Sequence, residues 1–421
     1  MPHEGTSQSD VMDERQDNAR DIEKDDWDRR KFMKASAAAG TGLLAAAAGC
    51  TSSSGDSGGS DGGGDSDGGG NGGSSDGSQS NREVVQIILA PTGFQGIIMD
   101  YLTEDTNILE NQFDENNLGT ETARSWESAA IFTSGGADFG TFGSLEAAKL
   151  AGERDLPLNV NANLAPQFMC TVGAEGGPYD PDNTGGAQAS MDKLHETQDR
   201  YALGGWGGGT GIMMPLIVSE AFGYTFTDDS SSDFENITTA EYSAVPQLVN
   251  DGDVVMGTSS PLHGAAPTMA PEEYGGENSI TTIWQLGGAM DNLENFSAPQ
   301  LNSWTCAQEY ADANPSAPEA MVQTFQTGVD WFYEDPIGRV EESDEHLNQL
   351  GLQSLDTARY VMDWGINLEL ENELQVLYED TGLTEEFVAN DKNFLESAAE
   401  TGFLSEGWEE NLEYNMIDPQ A

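Results

Sequence analysis

The fold is decided by the stretch Ala137-Asp138-Phe139-Gly140-Thr141-Phe142-Gly143, which predicts a strand that runs into a glycine-rich turn. A helix is expected directly afterwards, from Ser144 to Gly152, with Ser144 as its N-cap. Upstream, the β-branched run Val84 to Leu89 predicts a buried strand that ends at Ala90-Pro91. Strands and helices that alternate in this way indicate a parallel α/β sheet.

A second series of the same kind follows in the middle of the chain. The segment His195 to Leu203 leads into the glycine-rich run Gly204 to Gly211, and an apolar helix is expected from Ile212 to Phe222. The stretch Val254 to Pro261 closes this series. From Cys306 onward, apolar residues recur mainly at helical spacing.

The charge of the chain excludes several classes of partner. It has 421 residues, with 74 Asp and Glu against 16 Lys and Arg, for a formal net charge of −58. Such a surface repels nucleic acids and anionic membranes, because both are bound through cationic faces. Its self-repulsion is tolerable in molar salt, where the Debye length falls to ~3 Å. The composition therefore predicts a protein of a salt-loving, haloarchaeal type of microbe. Hydrophobic residues make up 37% of the chain, which excludes full disorder.

The first 81 residues predict export and anchoring. The pair Arg29-Arg30 precedes a small-residue apolar run, Ala35 to Gly49, and resembles a twin-arginine signal peptide over residues 1–49. The residues before Cys50 resemble a lipobox, so Cys50 is expected to carry a lipid. Residues 50–81 are then a Gly/Ser/Asp tether with a reach of ~30 Å. The alternative is a short transmembrane anchor with a buried Cys50.

Four further motifs, in this order, point to one family. The segment Ser134 to Gly140 has the pattern small-Gly-x-x-Asp-Phe-Gly, and Ala147 to Val160 supplies an Ala-x-x-Leu-Ala-Gly helix with a strand after it. Leu248 to Val255 and Glu309 to Pro315 match two later steps. Residues 82–421 thereby resemble ABC-transporter solute-binding proteins of the nitrate, sulfonate and thiamine-precursor group.

The resemblance implies a two-lobed type II periplasmic-binding-protein fold of the α/β class. Each lobe is expected to be a mostly parallel sheet flanked by helices, with a ligand cleft between the lobes. Residues 82–168 would form the first part of lobe 1, residues 169–303 lobe 2, and residues 304–421 the return to lobe 1 with C-terminal helices. The implied partners are a small-molecule ligand and an ABC permease. The protein is expected to be a monomer on the extracellular face of the membrane, which it contacts only through its lipid anchor.

The ligand is expected at strand ends and helix N-termini that face the cleft. The residues predicted to bind it are Thr92, Phe94, Gln95, Thr141, Phe142, Trp206, Gly209, Thr210, Ser259 and Ser260. These stretches contain no Lys or Arg, which favours a mono-anion or a small organic ligand with a flat or apolar part. A thiamine-precursor pyrimidine, a small sulfonate or a nitrate-like ion would fit the resemblance. The alternative for the three aromatic residues is ordinary core packing.

The resemblance also bears on the two remaining cysteines. Members of the family cross between lobes twice, here near Ala165 to Thr171 and near Asn302 to Ala307. Cys170 and Cys306 lie one in each crossing, so they are a possible disulfide in an oxidising compartment. Two separate buried thiols are the alternative.

No catalytic residue, metal site or cofactor is predicted. His263 follows Ser259-Ser260, so a Ser–His pair of a surface hydrolase is conceivable, but no third member is evident. A pyrimidine-synthesis enzyme of the same fold is a weaker alternative, because the first-lobe turns contain no His or Cys. The sequence therefore favours a binding protein over an enzyme.

Overall fold

The computed structural model describes residues 83–90, 93–125, 127–206, 209–264, 279–291, 299–352, 354–366, 376–405 and 407–421. The predicted signal peptide, Cys50, the tether and Thr92 lie outside these residues. In the part of the chain that is described, no helix is both long enough and apolar enough to cross a bilayer.

The described strands and helices alternate along most of the chain. The strands are β1 (Glu83–Leu89), β2 (Leu118–Arg124), β3 (Phe139–Phe142), β4 (Leu158–Pro166), β5 (Cys170–Ala174), β6 (Tyr201–Leu203), β7 (Ile237–Thr239), β8 (Met256–Ser259), β9 (Ile280–Gln285), β10 (Gln300–Ala307) and β11 (Leu412–Tyr414). The helices are α1 (Phe94–Asp100), α2 (Ile108–Asp114), α3 (Ser128–Thr133), α4 (Ser144–Glu153), α5 (Pro181–Thr184), α6 (Ala187–Thr197), α7 (Gly209–Phe222), α8 (Val245–Asn250), α9 (Leu286–Asp291), α10 (Gln308–Ala313), α11 (Ser316–Glu334), α12 (Pro336–Glu341), α13 (Asp344–Gln349), α14 (Leu355–Gly365) and α15 (Glu385–Glu400). A π-helical turn, Tyr101–Asp105, extends α1, and a 3₁₀ turn, Trp408–Glu410, precedes β11.

These strands form two sheets. The first has the order β11-β4-β10-β3-β1-β2, and the second has the order β7-β6-β8-β5-β9. The chain leaves the first sheet after Pro166 and enters the second at Cys170. It leaves the second sheet after Gln285 and re-enters the first at Gln300. Each sheet thus belongs to one lobe, and the α/β class with two lobes is confirmed.

Both sheets are mixed, which refines the prediction of mostly parallel sheets. In the first sheet β1 runs parallel to β2 and β3, whereas β10 runs antiparallel to β3 and β4. In the second, β6 is parallel to β7 and β8, whereas β5 is antiparallel to β8 and β9. The antiparallel strands are those by which the chain enters a lobe from the other one. They arrive from the cleft side, so their direction is opposite to that of strands followed by crossover helices.

The core of the first lobe is apolar and close-packed. The consecutive β1 side chains of Ile87, Ile88 and Leu89 are all buried, as expected of a strand covered on both faces. Trp304 on β10 is fully buried and meets Phe325 of α11 edge to face, with ring centroids 5.4 Å apart. Edge-to-face contact of this kind adds to the area that the rings bury. The crossing strand β10 is therefore fixed in place by lobe 1.

The predicted N-cap role of Ser144 is wrong. Ser144 is the first residue of α4, Gly143 occupies the N-cap position, and no side chain caps this end. The Ser144 hydroxyl instead donates a hydrogen bond to the carboxylate of Asp391 on α15. Both side chains are buried, so the hydroxyl is taken by a long-range partner that local sequence cannot reveal.

The two cysteines are separate buried thiols, so the possible disulfide is not formed. Cys170 opens β5, where it lies opposite Ser259 and Gln285 in the second sheet. Cys306 lies in the first sheet, where it accepts a hydrogen bond from Asn161 Nδ2 at 3.3 Å. Cys306 is six positions along β10 from its cleft end at Gln300, a span of ~20 Å in an extended strand. Burial raises the pKa of each thiol to about 12.

Candidate functional site: the cleft between the lobes

The site is formed where strands of the two sheets end and helices begin. In lobe 1, β1 leads into α1 and β3 into α4, while in lobe 2 β6 leads into α7. The two lobes touch at these ends. A Cβ atom on Gly143, which precedes α4, would lie 3.3 Å from Cε of Met213 on α7. A Cβ atom on Gly351 would lie 3.1 Å from Cδ2 of His263, which follows β8. The predicted loops of the two lobes therefore face each other across a narrow cleft.

A tyrosine lies near the N-terminus of α7. Burial raises the pKa of Tyr242, and the neighbouring Thr210 side chain and Gly211 backbone oppose that rise. Gly204 is required here, because a Cβ atom at that position would overlap the Tyr242 ring. Ser259 Oγ donates to the Tyr242 carbonyl oxygen at 2.9 Å and so holds the loop.

A carboxyl group of the opposite lobe lies close to this tyrosine. Glu146 is in the first turn of α4, three positions after Gly143. Burial raises the pKa of Glu146 to about 7, and the Gly143 backbone opposes that shift. Burial also raises the pKa of Tyr242, and the charge of Glu146 adds to the rise. Both groups are therefore held toward their neutral forms.

The first turn of α4 is anchored from behind. Ser144 is bonded to Asp391, which also accepts a hydrogen bond from the Tyr414 hydroxyl at 2.6 Å. The Gln300 backbone N–H in turn donates to Ser144 Oγ at 3.2 Å, which ties the crossing strand to the same point. Burial raises the pKa of Asp391 to about 6, and the two hydroxyl donors oppose that shift. This buried network fixes the position from which Glu146 reaches the cleft.

One basic side chain lies at the cleft end of lobe 1 and is paired there. Arg124, at the end of β2, donates to the carbonyl oxygen of Gly96 on α1 and is bonded to Asp100. Arg154 follows the far end of α4, and Arg200 precedes β6, so both lie at the opposite ends of the elements that form the site. Arg124 is therefore already neutralised within its own lobe.

Two of the predicted ligand residues are core residues. Phe94 is 1% exposed and meets Phe332 edge to face at 5.6 Å. Phe142 is 0% exposed and meets Phe132 edge to face at 5.1 Å. Both rings pack inside lobe 1, so ordinary core packing, the alternative to ligand binding, holds for these two residues.

The other predicted residues are placed at the cleft ends of their strands and helices. Trp206 is half-buried and lies 5.4 Å from Phe226, centroid to centroid, and Gly209 is the first residue of α7. The polar residues among them have buried side chains, and these are Gln95, Thr141, Thr210, Ser259 and Ser260.

The Ser260–His263 pair exists but has the geometry of a helical turn. Ser260 Oγ lies 3.1 Å from His263 Nδ1, and it also accepts the His263 backbone N–H at 3.3 Å. Burial lowers the pKa of His263 to about 4, and no carboxylate among the described residues contributes to that shift. A general base needs a pKa nearer the working pH and a group that orients its ring. The pair therefore gives a hydrolase little support.

The sequence analysis did not single out Glu146 and Tyr242, whose pKa values are both raised by burial. Glu146 lies only two positions beyond the predicted loop, and an acid in the first turn of a helix that faces a cleft is a usable signal. Tyr242 lies in the connection between β7 and α8, where no pattern in the sequence distinguishes it.

The fold is similar to that of solved solute-binding proteins at low sequence identity. The alkanesulfonate-binding protein SsuA from Xanthomonas axonopodis pv. citri, bound to MOPS, is 10% identical, with a TM-score of 0.54 over 79% of this chain and 98% of its own. The nitrate-binding protein NrtA from Synechocystis PCC 6803 is 11% identical, with a TM-score of 0.52 over 79% and 86%. The sulphonate-binding protein SsuA from Escherichia coli is 12% identical, with a TM-score of 0.51 over 80% and 96%.

In sequence comparisons, no protein-family model and no curated protein matches the chain. The structural likeness at this identity concerns the fold alone. Residues 83–421, as far as they are described, have the periplasmic-binding-protein fold, with two mixed α/β lobes on either side of a cleft.

Proposed function

We propose that the protein is a solute-binding protein of an ABC importer, which captures a small ligand by closure of its two lobes. The observation that carries this proposal is the cleft itself. Strand ends and helix N-termini of both sheets meet there, and Gly143 and Met213 bring the lobes into contact. Two lobes joined by a pair of crossings can close about them as a hinge. The solute-binding proteins of the same fold support this reading.

The N-terminal sequence supports a proposal for how the protein is exported and anchored. Residues 1–49 serve as a twin-arginine signal peptide, and Cys50 carries the lipid that anchors residues 50–81 as a tether. The protein works as a monomer at the extracellular face of the membrane of a salt-loving microbe. It delivers its ligand to an ABC permease. Within the folded part, residues 82–168 form the first part of lobe 1 and lobe 2 begins at residue 169; the return to lobe 1 starts at Gln300, where β10 begins, and not at residue 304 as the sequence suggested.

The ligand contacts come from both lobes. Lobe 1 supplies Gln95, Thr141 and Glu146, and Thr92 is a further candidate outside the described residues. In lobe 2, the contacts are Trp206, Gly209, Thr210, Ser259, Ser260 and Tyr242. Phe94 and Phe142 are left out because they pack inside lobe 1.

Native mass spectrometry of the purified protein tests the proposal. We expect one small molecule per chain, either carried through purification or bound from a panel of thiamine-precursor pyrimidines, sulfonates, nitrate and amines. The molecule should be released when the protein is unfolded, because its contacts come from two separate lobes. A chain that carries no small molecule and takes up none from the panel would contradict the proposed function.

A further inference from the structure

A cavity of about 500 Å³ lies in lobe 1, between the start of β4, the helices α10 and α11, and the residues that follow β11. This volume is within the usual range of small-molecule sites. Asn159 lines the cavity, and seven positions separate it from Pro166, after which the chain leaves for lobe 2. Seven positions of an extended strand span ~23 Å. The cavity is therefore separate from the cleft between the lobes.

Three asparagines alternate with apolar residues along β4, at positions 159, 161 and 163. Asn159 and Asn163 are each 5% exposed, and Asn161 is 0% exposed. The side-chain oxygen of Asn161 accepts a hydrogen bond from Asn415 Nδ2 at 2.9 Å. That of Asn163 accepts one from Gln300 Nε2 at 2.7 Å. Two members of this buried polar row are thus satisfied within the protein.

Asn159 is the member that differs, because its buried side-chain oxygen has no hydrogen-bond partner among the described residues. It is also the member of the row that lines the cavity. Leaving a buried acceptor unpaired costs the folded state free energy, and nearly all such groups in native proteins have a partner. An unpaired amide beside a cavity therefore indicates a donor that comes from outside the chain.

The rest of the cavity wall is partly apolar and partly acidic. Pro315, Pro318 and Met416 supply apolar surface, and Met416 is 52% exposed. Glu413 on β11 is the register partner of Asn159, so its carboxylate belongs to the same part of the wall. None of the described residues that line the cavity is Lys or Arg. The wall therefore suits an apolar body that carries a positive charge.

We propose that this cavity is a second ligand site, which binds a small organic cation of the alkylammonium or arylammonium class. An ammonium N–H donates to the side chain of Asn159, and the neighbouring carboxylate of Glu413 supplies the opposite charge. Hydrogen bonds from a charged donor are the strong class. The apolar body of the ligand covers Met416 and the two prolines, which removes apolar surface from water. The site has no residue in common with the cleft, so it stands apart from the proposed function.

Titration calorimetry of the purified protein in molar KCl provides the test, with benzylammonium, neutral benzyl alcohol and benzoate as probes. We expect benzylammonium to bind, benzyl alcohol to bind more weakly and benzoate to fail. Asn159→Leu should weaken benzylammonium by about tenfold or more, because it removes the acceptor of a charged hydrogen bond. Met416→Ser should weaken it as well. Val84→Ser is the matched control, because Val84 is also an exposed large apolar residue but does not line the cavity.

The position of Met416 at the surface keeps the test decisive if Asn159→Leu does not fold. Benzylammonium that fails to bind to the unchanged chain overturns the inference, and the cavity then holds water only. Binding that the folded cavity variants leave unchanged also overturns it, because the probe then lies elsewhere. Benzoate that binds as well as benzylammonium overturns the ligand class. None of these results decides the proposed function, which depends on capture between the lobes.

Discussion

Replacing Glu146 by Gln is expected to raise the free energy of unfolding at about pH 8 and to leave it nearly unchanged at about pH 4. Burial raises the pKa of Glu146 from 4.5 to about 7. Between these two values the folded state holds the proton more tightly than the unfolded state, so stability falls as the pH rises through that window. Above it the full cost is present, and Gln removes this cost because its amide carries no charge. Because the side chain keeps some contact with water, we expect a gain of about 1–2 kcal/mol.

Chemical unfolding in molar KCl at several pH values measures this gain. The buried Asp391, with a pKa of about 6, titrates in both variants, so its contribution cancels in the difference. Glu153→Gln controls for the removal of one negative charge from α4 at an exposed position. A gain that does not depend on pH, or a loss of stability at about pH 8, would show that Glu146 is not held as an acid of raised pKa.

Gly211→Ala is expected to destabilise the protein by about 2–3 kcal/mol and to abolish the binding of a small molecule measured by native mass spectrometry. An added Cβ atom would overlap the carbonyl oxygen of Gly205. This neighbour is backbone, so no rotamer change can relieve the overlap. The first turn of α7 must therefore shift away from the position that it has in the structure.

Gly288→Ala in α9 is the matched control for this substitution. A Cβ atom there would lie no closer than 3.6 Å to Gln285, an ordinary contact. Alanine is also the better helix former, by about 1 kcal/mol, so this variant should be as stable as the unchanged chain or more stable. If Gly211→Ala matches the control in both stability and binding, then α7 does not approach the Gly205 backbone as the structure has it.

The order of elements could be predicted from the sequence because it depends on local patterns. The run Ala137 to Gly143, with its helix afterwards, is found as β3 and α4. Thr210 and Ser259 also lie at a helix start and a strand end, as their stretches predicted, because chain direction alone decides which end of a strand a loop follows.

Contacts between distant parts of the chain could not be predicted in this way. Ser144 was expected to cap its own helix, but its hydroxyl is bonded to Asp391, which is 247 positions away. Phe94 and Phe142 lie in the stretches predicted to bind the ligand, but their rings pack in the core. The sequence could not show this, because the direction of a ring depends on what it packs against. Tyr242 reaches the end of α7 from another connection, and only the folded chain brings the two together.

Small-angle scattering of the purified protein in molar KCl, with and without saturating ligand, tests the central claim most directly. A solute-binding protein closes its lobes over the ligand, so the radius of gyration should fall on ligand addition. The conformation in which Gly143 approaches Met213 and Gly351 approaches His263 should then describe the compact form. A bound ligand that leaves the radius of gyration unchanged would contradict capture by lobe closure.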